Sequence, residues 1–279
     1  MSMKEVLRVV QGEHTQDGAG VKIYRIMGTH ELNQFDPFLL LDEFKNDNPD
    51  DYAAGFPPHP HRGFETVTYM IQGSFDHADS RGNRGHLVSG SVQWMTAGSG
   101  IIHSEMPAQD EGLVWGFQLW INLPKKLKMI EPSYQDISAE TLTVTKLNGV
   151  TAKLIAGEYN GAKGPGVSKY PMSYFDLNIE AGSEFRFKVP AGQNSMVYVI
   201  KGTAQIGSKK VEAEHLALLT EEGDDVVISA SESLRCLFFS AQKMNESVSR
   251  GGPFVMNTKE EIFQAFADYQ SGKFGKLEG

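Results

Sequence analysis

The 279-residue chain has a single cysteine, Cys236, and so cannot close an internal disulfide. Its surroundings, Leu234-Arg235-Cys236-Leu237-Phe238-Phe239, read as a buried strand, and a lone buried thiol fits a reducing cytoplasm. Basic residues are in deficit: 26 Lys plus Arg against 35 Asp plus Glu leave a net charge of −9. Direct nucleic-acid binding therefore has no support, because phosphate contacts need clustered cations. Long apolar runs are missing as well. The N-terminus meets Lys4, Glu5 and Arg8 before an export signal could develop. The longest stretch free of acidic and basic residues, 85–104, is rich in Gly, Ser, Gln, Thr and His, which a bilayer core penalises. No membrane partner is expected. Also absent are a phosphate-binding loop ending in Lys-Ser or Lys-Thr, a dinucleotide fingerprint and a nucleophile elbow. Cys236 lacks an evident activating base, which argues against thiol catalysis.

What is abundant is glycine, 29 residues or about 10% against a usual value of about 7%. Between the glycines lie short alternating or apolar runs, such as Val21-Lys22-Ile23-Tyr24-Arg25-Ile26, Thr66-Val67-Thr68-Tyr69-Met70-Ile71 and Met196-Val197-Tyr198-Val199-Ile200. Many short strands with glycine-rich turns predict an all-β sandwich or barrel. One helix is expected near the end, where Thr258-Lys259-Glu260-Glu261 is a capping box and Ile262, Phe266 and Tyr269 follow at helical spacing. Two prolines and a lysine cluster, from Leu123-Pro124-Lys125-Lys126-Leu127-Lys128 to Glu131-Pro132, place a boundary between domains 1–132 and 133–279, the second including the helix. The lysines there read as a solvated linker.

The halves resemble copies of each other. Thr66 to Ser74 aligns with Ser195 to Thr203, and Trp94-Met95-Thr96 with Leu218-Leu219-Thr220. In these registers Lys188 and Pro190 stand opposite His59 and His61, while Val227 and Ser229 stand opposite His103 and Glu105.

Five of the eight histidines fall between His59 and His103. His59-Pro60-His61 places two imidazoles on one face of an extended strand, and His103-Ser104-Glu105 places an imidazole and a carboxylate on one face of another. Opposed, the two strands make a three-histidine, one-carboxylate site for one transition metal, with positions left over for chemistry. Glu65 is a rival carboxylate if its strand is regular through Gly63. His77 and His86 lie in a polar connection and are expected to be solvated; His14, His30 and His215 have no partner at ligand spacing. Phe56, Met95, Met106 and Phe117 are candidates for a pocket lining or for plain core.

The segments from Gly55 to Tyr69 and from Gln93 to Pro107, with Asp36-Pro37-Phe38-Leu39-Leu40-Leu41-Asp42 and Gly252-Pro253-Phe254-Val255-Met256-Asn257-Thr258, resemble the pirin family of the cupin superfamily. That resemblance spans almost the whole chain. It implies a bicupin, two packed jelly-roll β-barrels with a short C-terminal helix and a metal in the N-terminal barrel only. It implies the ligands His59, His61, His103 and Glu105, rather than Glu65. The metal implied is Fe(II), with Mn, Ni, Cu, Co or Zn as alternatives. Two functions are associated with such proteins: quercetin 2,3-dioxygenase, which opens a flavonol with O2 and in which Glu105 would be the catalytic base, and an iron-dependent regulator that binds protein partners such as transcription factors or metabolic enzymes. The expected partners are accordingly a small flavonol-like aromatic with O2, or a protein.

Overall fold

The computed structural model describes residues 2–190 and 192–277. Two compact units emerge, and each carries a tail from the opposite end of the chain. One unit comprises Glu13–Gly28, Pro37–Glu140 and Met244–Gly279; the other comprises Met1–Gly12, Thr29–Asp36 and Thr141–Lys243. This corrects the division at 132 in two respects. Ser133–Ile137 pairs antiparallel with Val92–Thr96, so the connection between units lies beyond it. The tails are exchanged, because Val6–Gln11 pairs with His215–Leu219 and the C-terminal helix belongs with the histidine-rich strands.

In the histidine-rich unit a seven-stranded sheet runs in the order Ser133–Ile137, Val92–Thr96, Phe64–Gln72, Val114–Asn122, Phe38–Asn46, Val21–Met27, Glu13–Asp17. A four-stranded sheet runs Phe56–His61, Ile101–Pro107, Phe75–Asp79, Arg84–Leu87. Alternation sets the faces: Val21 and Ile23 are buried and Lys22 between them is exposed. Val21, Ile23, Phe44, Met70 and Val114 of the large sheet share one core cluster with Phe75 and Leu87 of the small one.

The other unit repeats this plan strand for strand. Its large sheet runs Val6–Gln11, His215–Leu219, Gln193–Lys201, Leu234–Gln242, Met172–Ile179, Val150–Ala156, Thr143–Leu147, and its small sheet Glu184–Lys188, Asp225–Ala230, Ala204–Ile206, Lys209–Val211. The proposed duplication is therefore real: Val67 pairs with Trp94 as Met196 pairs with Leu218, in the registers read from the sequence. The expected ligand equivalents need a correction. His59 pairs with His103, whereas Val227 pairs with Arg186 and Asp225 with Lys188, so Arg186 and Lys188 occupy the places of His59 and His61. A longer connection before Gln193–Lys201 shifts that strand by two residues. Cys236 is fully buried in this unit's core, and burial raises its thiol pKa.

The helix Lys259–Gln270 begins at the expected capping box of Thr258 and Glu261. Its docked face is rotated from the expected stripe: Ile262, Ala265 and Asp268 are buried, while Phe266 and Tyr269 are only partly covered. Among the described residues no helix is long and apolar enough to cross a membrane.

Candidate metal centre

The strands Phe56–His61 and Ile101–Pro107 are antiparallel neighbours with His59 directly opposite His103. Period-2 geometry puts His61 on the same face as His59. The nitrogens of His59, His61 and His103 that could bind one ion all lie within 4.8 Å of one another. Metal–nitrogen bonds of about 2.1 Å to a common centre require only small side-chain shifts from this arrangement.

The second ring nitrogens bear on the fit. His59 Nδ1 lies 2.8 Å from the Pro57 carbonyl and His61 Nδ1 lies 3.3 Å from the Pro253 carbonyl. An imidazole donating Nδ1–H to a carbonyl presents a bare Nε2, as metal-binding histidines do. His103 is fully buried, and neither of its nitrogens has a hydrogen-bond partner. An orphaned buried imidazole is costly unless another ligand, here an ion, meets it. Burial first, and the neighbouring imidazoles second, hold the pKa values of His61 and His103 well below the ordinary range, which keeps both rings neutral and open to a metal. The three-histidine site fits a single metal ion.

Glu105 follows the register shift between His103 and Glu105 and pairs with Phe56 on one side and His77 on the other. Its Oε1 accepts a 2.7 Å bond from the Thr68 hydroxyl, and Gln118 Nε2 lies 3.5 Å from its Oε2. Gln118 Oε1 stands 2.6 Å from the same hydroxyl. Glu65 is placed elsewhere. The chain turns sharply at Gly63, at φ +87°, so the parity of His59 and His61 does not carry into the next strand. There Glu65, three residues before Thr68, lies on the opposite face and accepts a 2.7 Å bond from Thr96.

Two lysine and histidine expectations fail at this site. His77 is buried rather than solvated: it stacks on Tyr134 at 4.6 Å and lies 5.3 Å from the His103 ring, with neither nitrogen hydrogen-bonded. The alternation Phe75, His77, Asp79, all buried, was the available signal. His86 is exposed as expected and bonds Asp76 at 2.6 Å. Lys128 is buried, not a solvated linker residue; its ammonium donates to the Gly63 carbonyl at 2.8 Å, Asn122 Oδ1 at 2.6 Å and the Val255 carbonyl at 2.9 Å. Burial lowers its pKa to about 7.

A cavity of about 650 Å³ opens on His59, His61, Thr68, Glu105 and Gln118. Of the four residues open to either role, Phe56 lines it, together with Phe44, Phe75 and Trp120; Met95, Met106 and Phe117 do not. The Phe64 and Trp120 rings pack at a tilt of 34°, 4.4 Å apart, and both flank His61.

Two protein-family models match the chain, one described as Pirin over residues 20–121 and one described as Pirin C-terminal cupin domain over residues 174–275. The chain is a member of the pirin family. The fold is accordingly a bicupin, all β apart from the C-terminal helix. A pirin-like protein of Caulobacter vibrioides is 45% identical over 277 residues, covering 98% of this chain and 100% of the relative. Human pirin is 41% identical, covering 98% and 95% respectively. Among solved structures, a quercetin 2,3-dioxygenase from Acinetobacter baumannii superimposes with a TM-score of 0.92 at 36% identity, over 99% of this chain and 100% of that one. Within this pirin the two cupin domains differ in chemistry: one carries the histidine cluster, the other places Arg186 and Lys188 where two of those histidines would be.

Proposed function

We propose that the chain is a metal-dependent dioxygenase of the pirin type, cleaving flavonols such as quercetin with O2 and releasing carbon monoxide. The cavity carries this reading: its volume, about 650 Å³, suits a three-ring ligand, and its walls set His59, His61 and Glu105 among aromatic side chains. Likeness to a solved quercetin 2,3-dioxygenase supports it. The free, buried thiol of Cys236 agrees with a cytoplasmic setting.

His59, His61 and His103, with Glu105 as fourth ligand, would hold one divalent metal, iron foremost; manganese, nickel, copper, cobalt or zinc suit the same donors. When bound, it supplies open coordination positions for a substrate oxygen and for O2. Glu105 takes the proton of the substrate's 3-hydroxyl. Thr68 has one hydroxyl proton and two acceptors in reach, Glu105 Oε1 at 2.7 Å and Gln118 Oε1 at 2.6 Å. It therefore donates to Glu105 while that carboxylate is ionised, and can turn to Gln118 and accept from Glu105 once the proton has arrived. Phe44, Phe56, Phe75 and Trp120 bind the flat rings and exclude water.

The test is anaerobic reconstitution with Fe(II), addition of quercetin and air, and measurement of flavonol absorbance and released carbon monoxide. Wild type should consume quercetin, and Glu105→Gln should retain some metal but not turn over; full activity in that variant removes the role given to Glu105. If no turnover occurs with iron, manganese, nickel or copper, the second reading takes over: a metal-dependent regulator that binds a protein partner. What favours it is Phe263, 71% exposed on the C-terminal helix beside the partly exposed Phe266 and Tyr269.

A further inference from the structure

We infer that Arg250 makes this cavity selective for aromatic ligands bearing a carboxylate in addition to the oxygens offered to the metal. The inference rests on reading the cavity as the substrate chamber, and it does not depend on the oxygenase chemistry.

Five ionisable side chains besides the histidines line the chamber: Asp17, Arg25, Asp42, Glu105 and Arg250. Arg25 is paired with two carboxylates. Its Nε donates to Asp42 Oδ1 at 3.0 Å, and its Nη2 donates to Asp42 Oδ2 at 2.8 Å and to Asp17 Oδ2 at 2.6 Å. Glu105 is held by Thr68. Arg250 is the exception. Its Nη2 donates to the Leu39 carbonyl at 2.7 Å, its Nε is buried with no acceptor, and among the described residues no carboxylate pairs with it. Burial lowers its pKa, as expected for a cation without a counter-charge.

A buried donor without an acceptor costs about 1–3 kcal/mol, so a cation left in this state inside a ligand-sized cavity calls for an anion from outside. A guanidinium offers a planar fork that matches a carboxylate. Arg250 is also fixed relative to the metal site: it lies in the strand Ser249–Gly251, and Pro253, just beyond, bonds His61 through its carbonyl. Arg250, Gly252 and Pro253 all line the same chamber as His59 and His61. An aromatic ligand seated on the histidine side therefore has a rigidly placed cation within the same space.

The test compares catechol with 3,4-dihydroxybenzoate, which share an oxygen pair and differ by one carboxylate. Their dissociation constants are measured by calorimetry on the full-length protein, metal-loaded and metal-free. Wild type should bind the acid about tenfold tighter, the scale of one charge-assisted pair. Arg250→Gln should bring the acid to the affinity of catechol with catechol itself unchanged, and Arg250→Lys should keep part of the gap. Equal affinities in wild type overturn the inference without any variant, and so does a gap that survives Arg250→Gln. Failure of flavonol turnover would leave the gap in place, whereas loss of the gap would leave turnover as it was.

Discussion

Arg62 and Asp268, 206 positions apart, meet through a 2.9 Å bond between Nη1 and Oδ2, and both side chains are buried. Arg62 follows His61 directly. Its Nε donates to the Ser99 carbonyl at 2.7 Å, and its guanidinium lies over the Phe274 ring at 4.6 Å. The C-terminal helix thus clamps the strand that presents two histidines of the cluster. Lys273 first, with Arg62 and Gln264 assisting, holds the Asp268 carboxyl at about 2. Because that value lies below the ordinary carboxylate range, the clamp's contribution is in place above pH 4 and is lost only as pH falls through about 2.

Asp268→Ala leaves the Arg62 charge buried and unpaired. A loss of about 3–5 kcal/mol is expected from denaturant unfolding, together with weaker metal retention on dialysis. A change below about 1 kcal/mol would mean that the clamp is not what holds the helix.

Lys128 provides a pH signature. Its amine titrates at about 7 in the folded protein against an ordinary value of 10.5, so between those values the unfolded chain holds the extra proton. Stability contributed through this group should therefore rise from pH 7 toward 10.5, at up to about 1.4 kcal/mol per pH unit. The stability difference between wild type and Lys128→Met, followed by urea melts across that window, should widen with pH; a constant difference would contradict the lowered value.

Gly63 has φ +87°, and a methyl group there would lie 2.0 Å from the Val255 carbonyl oxygen. That oxygen and the Gly63 carbonyl both accept from Lys128. Gly63→Ala should cost about 3 kcal/mol or more, as backbone strain plus overpacking, and lower the metal content of purified protein. Normal melting and normal metal content in this variant would refute the close approach.

Thr68→Val removes the hydroxyl shared by Glu105 and Gln118 while keeping the side-chain shape. Under the proposed chemistry kcat should fall by about tenfold to a hundredfold with a smaller change in KM, and the pH profile of kcat should shift as Glu105 loses its donor. An unchanged pH profile would restrict Thr68 to packing.

The gathering of His59, His61 and His103 was legible in the sequence because an i, i+2 pair in extended chain expresses a local geometry. The repeat of Thr66 to Ser74 in Ser195 to Thr203 was legible for the same reason, since both are central strands with one hydrophobic pattern. The ligand equivalents were not, because a connection longer by two residues moves Arg186 and Lys188 into place, and only pairing with Val227 and Asp225 shows it. His77 and Lys128 looked solvated beside charged and polar neighbours. Their burial is decided by partners far along the chain, Tyr134 for one and Val255 for the other. The exchange of the two tails was equally hidden, since Val6–Gln11 is an ordinary alternating strand until its neighbour His215–Leu219 is known.

That exchange has a bearing on biosynthesis. The strands carrying His59, His61 and His103 leave the ribosome well before Pro253 and Asp268, which fix His61 and Arg62. A nascent chain stalled after the first cupin would present these imidazoles without the braces that orient them.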